Sequence, residues 1–167
     1  MIGDIMLFAR PPQPRPVIQN LAAVVEEVCG AFAAQAGRKQ LQIDCSIAPA
    51  LTILADAAQI RVLLSELLRN ALDAAVPRGR IVLEGGQIVD SGRAFARLTI
   101  ADDGRGIPDA VLPHLFDPFF SGRQAGRGLG FGLAKAWRIA TLHAATLTAE
   151  SPADRGAVFT LKWPLES

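Results

Sequence analysis

Apolar and polar residues follow one another along this chain with two periods, one typical of helices and one typical of strands. Apolar residues recur at helical spacing from Val17 to Ala36 and from about Ala57 to Ala75, which predicts two amphipathic helices. Asp56 directly precedes the second of these helices and is expected to cap it. A short helical piece is predicted from Asp109 to Leu115, and a third helix from about Leu129 to His143.

The stretches between these helices alternate with the two-residue period of β-strands. Leu41 to Ile47 is expected to pair as a hairpin with a short run from Leu51 to Leu54. Ser91 and Gly92 mark a turn between two longer antiparallel strands. The other strand predictions are Arg80 to Asp90, Arg93 to Ala101, Ala145 to Glu150 and Ala157 to Trp163. The pattern therefore predicts an α/β fold in which three helices cover one face of a mixed sheet.

The first residues differ from the rest of the chain. Residues 1–10 are short and apolar and predict the tail of a helix, while Pro11, Pro12, Pro14 and Pro16 favour an extended connector over residues 11–16. We place a domain boundary there. The remaining residues, 17–167, are enough for one hydrophobic core of ordinary size, since half of the 167 residues are apolar.

Charge and cysteine content narrow the function classes. Lysine and arginine total 17 against 16 acidic residues, so the net charge of +1 gives no general electrostatic case for nucleic acid or for direct contact with an anionic membrane. Cys29 and Cys45 lack metal-ligand spacing and are interpreted as two reduced core thiols, which favours a cytoplasmic protein. No apolar run approaches the roughly 20 residues that cross a bilayer, so we expect a soluble chain, although a parent protein with a membrane anchor is compatible with this.

Asp102 ends a predicted strand and is followed by two glycines. Gly104 and Gly106 would let the backbone approach a flat ligand where a side chain would clash. The Asp102 carboxylate is placed to accept a hydrogen bond from an exocyclic amine such as that of adenine. An ordinary Asp-Gly turn is the alternative interpretation of this segment.

A second glycine cluster, Gly126, Gly128, Gly130 and Gly132, leads into the third predicted helix. Backbone N–H groups at such a helix start can bind phosphates, whereas a flexible hinge is the alternative. The sequence has neither the Gly-Lys-Ser/Thr of a P-loop nor a G-x-G-x-x-G after a strand.

Polar residues of the second helix form a narrow strip. Glu66, Asn70 and Asp73 are spaced so that, at about 100° per residue, they share one side of the helix. Asn70 with Glu66 could hold a hydrated magnesium ion, and a solvated polar face is the alternative. The Asn70 strip, the Asp102 segment and the glycine cluster follow one another in this order along the chain, with a polar stretch from Ser121 to Arg127 between the last two. Their occurrence together favours one nucleotide pocket over three unrelated features.

These motifs together resemble the catalytic ATP-binding domain of sensor histidine kinases. Glu66 to Ala74 resembles the N box, Asp102 to Gly106 the G1 box, Phe116 to Phe120 the F box, and Gly126 to Leu133 the G2 box. The resemblance implies the two-layer α/β sandwich shared with gyrase B, Hsp90 and MutL, a cofactor pair of ATP and Mg²⁺, and protein-histidine kinase activity.

The resemblance also implies roles for individual residues. Asp102 would bind the adenine amine, Asn70 and Glu66 would be the catalytic and metal-binding positions, and residues 121–127 would form a lid. The nucleotide-binding positions it implies are Asn70, Asp73, Asp102, Gly104, Gly106, Ile107, Phe120, Arg123, Arg127, Gly128, Leu129, Gly130, Gly132 and Leu133.

Residues 1–10 resemble the last turns of the second helix of a dimerisation hairpin. The histidine that accepts the phosphoryl group would then belong to a dimerisation helix missing from this chain. The partners implied are that helix and the receiver domain of a response regulator, whose aspartate receives the phosphoryl group. The parent protein is expected to be a homodimer.

Three departures from the family pattern leave alternatives open. Glu66 occupies a position that is asparagine in many kinases and a water-activating glutamate in the gyrase and Hsp90 relatives, so an ATPase is an alternative. Asp73 stands where kinases often have lysine, and Ala144 and Ala145 replace the usual Gly-Gly after His143. A non-catalytic nucleotide-binding module is the third interpretation.

Overall fold

A computed structural model, which describes residues 12–118 and 132–165, shows a two-layer α/β fold. One layer is a five-stranded sheet in the order β2-β4-β5-β7-β6, and a separate two-stranded sheet pairs β1 with β3. The strands are β1 Pro16–Asn20, β2 Gln42–Ile47, β3 Thr52–Asp56, β4 Arg80–Asp90, β5 Arg93–Asp102, β6 Thr146–Glu150 and β7 Val158–Pro164. The helices are α1 Leu21–Ala31, α2 Ala33–Arg38, α3 Ala57–Ala74 and α4 Gly132–Leu142. The predicted fold class is confirmed.

The α3 helix is the centre of the helical layer and matches the second predicted helix. Asp56 caps it as predicted, since Oδ1 accepts hydrogen bonds from the backbone N–H groups of Ala58 and Gln59, both at 3.0 Å. Ile60, Leu63 and Leu72 on the apolar face are completely buried. This burial fixes the rotation of α3 about its axis, and so fixes where its polar strip points.

The predicted helix from Val17 to Ala36 is wrong at its start and in its continuity. Residues 16–20 form β1, and Asn20 starts α1 by accepting a hydrogen bond from the Ala23 N–H at 2.9 Å. Phe32 then interrupts the helix between α1 and α2. The apolar residues of β1 share the helical spacing by coincidence, and pairing with β3 decides their conformation.

The predicted hairpin of residues 41–47 with residues 51–54 is also wrong. β2 pairs in parallel with β4, where Ile43 lies opposite Ile81. β3 pairs with β1 in antiparallel register, with Ile18 opposite Leu54. After Ile47 the chain leaves the main sheet, and the Leu51 carbonyl then accepts a hydrogen bond from the Leu21 N–H at 2.9 Å.

The central hairpin agrees with the sequence prediction. β4 and β5 pair over their full lengths around the turn at Ser91 and Gly92, and Gly92 has the positive φ of 77° that such a turn favours. The last two strands, β6 and β7, pair as predicted. Together these strands place the end of β5, with Asp102, beside the start of β7.

The predicted helical piece from Asp109 to Leu115 is only one 3₁₀ turn, Leu112–His114. Pro113 supplies no N–H group for a regular helix, and the segment shortens accordingly. Phe116, the first residue of the segment that resembles the F box, packs edge-on against Phe159 of β7 with ring centroids 6.2 Å apart. Phe119 and Phe120 lie outside the described residues.

The two cysteines are not core thiols as predicted. Cys29 on α1 is half-buried and Cys45 on β2 is exposed, and neither is in a disulfide. Cys45 is exposed because β2 is an edge strand of the main sheet. Among the described residues, no helix is long and apolar enough to span a membrane.

Candidate nucleotide-binding site

Asp102 is held in one orientation at the carboxyl end of β5. Its side chain is 5% exposed. Oδ1 accepts hydrogen bonds from the backbone N–H groups of Gly104 at 2.9 Å and Ala157 at 3.3 Å. Two backbone donors from different segments fix the carboxylate, so its second oxygen, Oδ2, has a defined position.

Two glycines make room for this arrangement. A Cβ at Gly104 would collide with the carbonyl of Ala74 at the end of α3, and a Cβ at Gly156 would collide with the Asp102 carboxylate and the Gly104 nitrogen. Gly104 is therefore required by packing between α3 and the loop after β5, whatever ligand is bound. Gly156 was not singled out from the sequence, and its closeness to Asp102 is visible only in three dimensions.

Ser151 supports the same loop from the end of β6. Its hydroxyl accepts a hydrogen bond from the Ile107 N–H at 2.8 Å and donates one to the Gly156 carbonyl at 3.3 Å. Gly106 has a φ of 74°, and a side chain there would crowd Ser151 Oγ. Ile107 is 9% exposed and packs with the core. Ser151, which the sequence did not single out, thus links both loops around Asp102.

Asn70 is the most unusual polar side chain on α3. It is 3% exposed, and within residues 12–118 and 132–165 neither Oδ1 nor Nδ2 has a hydrogen-bond partner. Buried amides are nearly always hydrogen-bonded, because desolvation without a partner costs free energy. An amide oxygen is a hard ligand of the kind magnesium accepts, so the chemistry of Asn70 fits the predicted metal-binding position.

Glu66, one turn before Asn70, is paired with two cations. Its Oε1 accepts from Arg69 Nη1 at 2.8 Å and lies 3.2 Å from Lys135 Nζ on α4. The Glu66 and Lys135 side chains are 14% and 11% exposed. Sequence reasoning missed Lys135, although a lysine within the apolar stretch of Leu133, Ala134 and Ala136 was a usable signal.

Gly132 lets α4 start close to this ion pair. A Cβ at Gly132 would collide with Glu66 Oε2. The predicted phosphate-binding glycine therefore lies against the N-box helix at the start of α4. Leu133, the next residue, is 9% exposed and packs with the hydrophobic core.

The predicted site residues thus fall into four groups. Glu66 and Asn70 lie on α3, and Gly132 and Leu133 lie at the start of α4, where Gly132 closely approaches Glu66. Asp102 ends β5, and Gly104, Gly106 and Ile107 lie in the loop that follows it. Asp73 is exposed, and its role is untested. Phe120, Arg123, Arg127, Gly128, Leu129 and Gly130, with the proposed lid at 121–127, lie outside the described residues.

The start of α3 is electrostatically stabilised far from this pocket. Backbone hydrogen bonds, first from Arg15 and also from Gln59 and Ala58, hold the pKa of Asp56 below its ordinary value of 3.8, with a smaller contribution from His143. His143 accepts a hydrogen bond from the Asp56 N–H at its Nε2, at 3.1 Å, and its Nδ1 donates to the Ile139 carbonyl at 2.8 Å. The helix that carries Asn70 is thereby anchored at its first turn.

Sequence comparison decides the family. The model for histidine kinase-, DNA gyrase B- and HSP90-like ATPases matches residues 55–167, a span that includes Asn70, Lys135 and Asp102. The chain belongs to this family. Within it, the sequence matches place the chain with the catalytic ATP-binding domains of sensor histidine kinases.

One relative of this histidine kinase-type ATPase domain is the sensor protein FixL of Bradyrhizobium diazoefficiens. The two sequences are 31% identical over 150 residues, which are 88% of this chain and 29% of FixL. The chain therefore spans less than a third of that protein.

Solved structures show the same fold. Full-length ShkA in complex with AMPPNP matches with a TM-score of 0.84 and 23% identity, over 98% of this chain and 35% of its own. Histidine kinase ThkA in complex with the response regulator protein TrrA matches with a TM-score of 0.79 and 21% identity, over 98% of this chain and 46% of its own. Over the part of the chain that the structure describes, the helices and the two sheets are thus arranged as in these solved structures.

Proposed function

We propose that this domain binds ATP with Mg²⁺ and presents the γ-phosphoryl group to a histidine on a dimerisation helix of the same kinase. The proposal rests on the occurrence of two unusual buried side chains, Asp102 and Asn70, in a chain of this family. Asp102 is oriented by two backbone N–H groups, and Asn70 has a buried amide without a partner among the described residues.

The adenine end of the pocket lies at Asp102. The backbone N–H groups of Gly104 and Ala157 hold Oδ1, so Oδ2 is the oxygen that accepts a hydrogen bond from the exocyclic amine of adenine. A carboxylate accepts but does not donate, so this contact selects a base with an amino group at that edge over one with a carbonyl group. Gly104, Gly106 and Ile107 keep the loop against Ser151 and α3, and so preserve the position of Asp102.

The phosphate end lies along α3 towards the start of α4. The Asn70 amide oxygen would hold Mg²⁺, and the ion would supply positive charge that offsets the charge of the phosphates. The resemblance implies that Gly128, Gly130 and Gly132 would line the phosphates, and that Arg123 or Arg127 would contact the terminal one. These roles rest on the resemblance of the boxes, except that Gly132 also lies beside Glu66.

We propose for Glu66 a role other than the activation of water that the ATPase alternative requires. A general base needs a carboxylate oxygen that can take a proton from water. Glu66 Oε1 is shared by Arg69 and Lys135, and Oε2 faces Gly132. We therefore propose that Glu66 positions Lys135 near the phosphates, and that hydrolysis by this domain is slow.

The partners of the domain follow from the same proposal. ThkA forms a complex with a response regulator protein, which supports a receiver domain as the final phosphoryl acceptor here. The acceptor histidine would belong to the dimerisation hairpin of a homodimeric parent. Since ATP is the proposed phosphoryl donor, we place the domain in the cytoplasm.

Restoring an acceptor helix tests this function. The chain is fused behind a dimerisation hairpin that carries a phosphoacceptor histidine, and is incubated with radiolabelled ATP and Mg²⁺. We expect label on the histidine that survives base and is lost in acid, and none when that histidine is replaced by alanine. A folded dimeric fusion that binds ATP and never acquires label would overturn the kinase assignment.

A further inference from the structure

Two thiols from distant segments meet at the edge of the sheet. The Sγ atoms of Cys29 on α1 and Cys45 on β2 lie 3.5 Å apart, and both cysteines are free. Sixteen positions separate them along the chain, so the contact is made by the fold. Sulfur atoms this close need only a small movement to reach the length of a disulfide bond.

The two cysteines differ in their surroundings. Cys45 is exposed on edge strand β2, whereas Cys29 is half-buried and packs against the hydrophobic core. In the part of the chain described, no group of three or more histidine, cysteine or acidic residues could hold a metal ion, so the pair has no third ligand there. A dithiol without further ligands suits oxidation better than it suits a structural zinc site.

We propose that Cys29 and Cys45 form an oxidisable dithiol, which a low-molecular-weight disulfide such as oxidised glutathione converts into an intramolecular disulfide. In the first step the Cys45 thiolate attacks one sulfur of the small disulfide, and one small thiol leaves. In the second step Cys29 gives up its proton, its sulfur attacks Cys45 Sγ, and the second small thiol leaves. The protein loses two electrons and two protons, and the small disulfide gains them as two thiols.

The order of these steps follows from the surroundings of each thiol. Burial, together with a hydrogen bond to Cys45 and its charge, raises the pKa of Cys29 to about 12, so Cys29 stays protonated at neutral pH. Cys45 is the thiol that solvent-borne reagents reach. Cys29 is therefore the resolving cysteine, and it reacts because Cys45 is already beside it.

The bond would tie α1 to the edge of the sheet. Cys29 lines a small apolar gap with Leu64 and Leu68 of α3, the helix that carries Asn70. A disulfide that closes a loop of this length restricts the unfolded chain, and we expect it to raise Tm by about 5–10 °C. Oxidation would thereby make the stability of this domain depend on the thiol–disulfide balance around it.

Peptide mapping of the folded chain tests the proposal. The chain is equilibrated with mixtures of reduced and oxidised glutathione, quenched with an alkylating reagent, and digested without reductant. We expect a linked peptide pair joining Cys29 to Cys45, lighter than the two reduced peptides by two hydrogen atoms and separated again by dithiothreitol. The same samples should show the rise in Tm.

Two variants distinguish the steps. Cys29→Ser should stop at a stable mixed disulfide of glutathione with Cys45, and Cys45→Ser should leave Cys29 largely unmodified. Wild-type protein that accumulates only glutathione adducts, or that links Cys45 between two chains, would overturn the proposal. Serine is close to cysteine in size, and urea unfolding of each variant confirms that it is folded before the comparison is made.

Discussion

Glu66 Oε1 and Lys135 Nζ lie 3.2 Å apart where α3 meets the start of α4, in a place that solvent barely reaches. This contact joins the N-box helix to the helix that follows the G2 box, so it connects two of the four motifs on which the family resemblance rests. Arg69 adds a second cation to the same carboxylate oxygen. An ion pair that is both buried and shared by two helices should be energetically stronger than one on the surface.

Double-mutant cycles measure the difference in coupling energy between this buried ion pair and an exposed one. Glu66→Gln, Lys135→Met and the double variant should give a coupling energy of about 1–3 kcal/mol in urea unfolding, because solvent screens these charges weakly. The matched control is the exposed pair of Glu27 and Arg61, whose side chains are 58% and 37% exposed. Its coupling should stay below about 1 kcal/mol. Equal coupling in both cycles would mean that the Glu66 pair is ordinary surface electrostatics.

Asn70 should lower the stability of the domain without nucleotide and support the magnesium-dependent binding of nucleotide. Asn70→Leu replaces a buried amide that has no partner among the described residues with an apolar side chain of similar size. We expect the free energy of unfolding without nucleotide to rise by about 1–2 kcal/mol, since the desolvation cost of the amide is removed. The magnesium dependence of nucleotide affinity should disappear in the same variant. A large loss of stability would show that the amide has a structural partner.

Asp56 should make the stability of α3 depend on pH. Asp56→Ala removes the N-cap and should cost about 1 kcal/mol at neutral pH, whereas Asp56→Asn keeps most of the cap. The folded-state pKa of Asp56 lies below its ordinary value of 3.8, so its contribution is complete above that pH and is lost as the pH falls through the folded-state pKa. The stability gap between wild type and Asp56→Ala should narrow below about pH 4. A gap that stays constant down to pH 2.5 would contradict this.

Gly104 should not tolerate a side chain even in the absence of nucleotide. In Gly104→Ala the new methyl group would collide with the Ala74 carbonyl, and we expect a loss of about 1–3 kcal/mol of unfolding free energy. Gly86→Ala on β4 is the control, because nothing lies within 4 Å of its added Cβ. That control should be close to neutral in thermal unfolding. If both variants behave alike, packing does not explain the glycine at 104.

The sequence predicted the parts of the molecule that depend on local signals. The α3 helix has a long apolar face and a cap at Asp56, and the β4–β5 hairpin has its turn at Ser91 and Gly92, so both were placed to within a residue or two. The partner of β2 was missed because its alternation fits either neighbouring strand equally well. Its parallel pairing with β4 depends on the whole chain.

The candidate site also contains residues with a local sequence signal and residues whose role depends on contacts across the fold. Asp102, Asn70 and the glycines could be recognised because their types and spacing are unusual. Lys135 stands out in sequence as a lysine within an apolar stretch, but its partner Glu66 is visible only in the structure. Ser151 has no such signal and reaches the site through its contact with Ile107, far away in sequence. Gly156 was not recognised either, because the Asp102 carboxylate that a side chain at Gly156 would meet is distant in sequence.

The most direct test of the account is calorimetric titration of Asp102→Asn with an ATP analogue and Mg²⁺. Asparagine can keep the hydrogen bonds from Gly104 and Ala157 while replacing Oδ2 with an amide that donates, so the fold is retained and the contact with the adenine amine is lost. We predict affinity about 10- to 100-fold below that of wild type, the equivalent of one hydrogen bond to a charged group. Asp103→Asn, at a carboxylate that instead accepts from the Arg80 N–H at 2.8 Å, should bind like wild type. Unchanged binding by Asp102→Asn, or no binding by folded wild type, would contradict the claim that this pocket holds ATP.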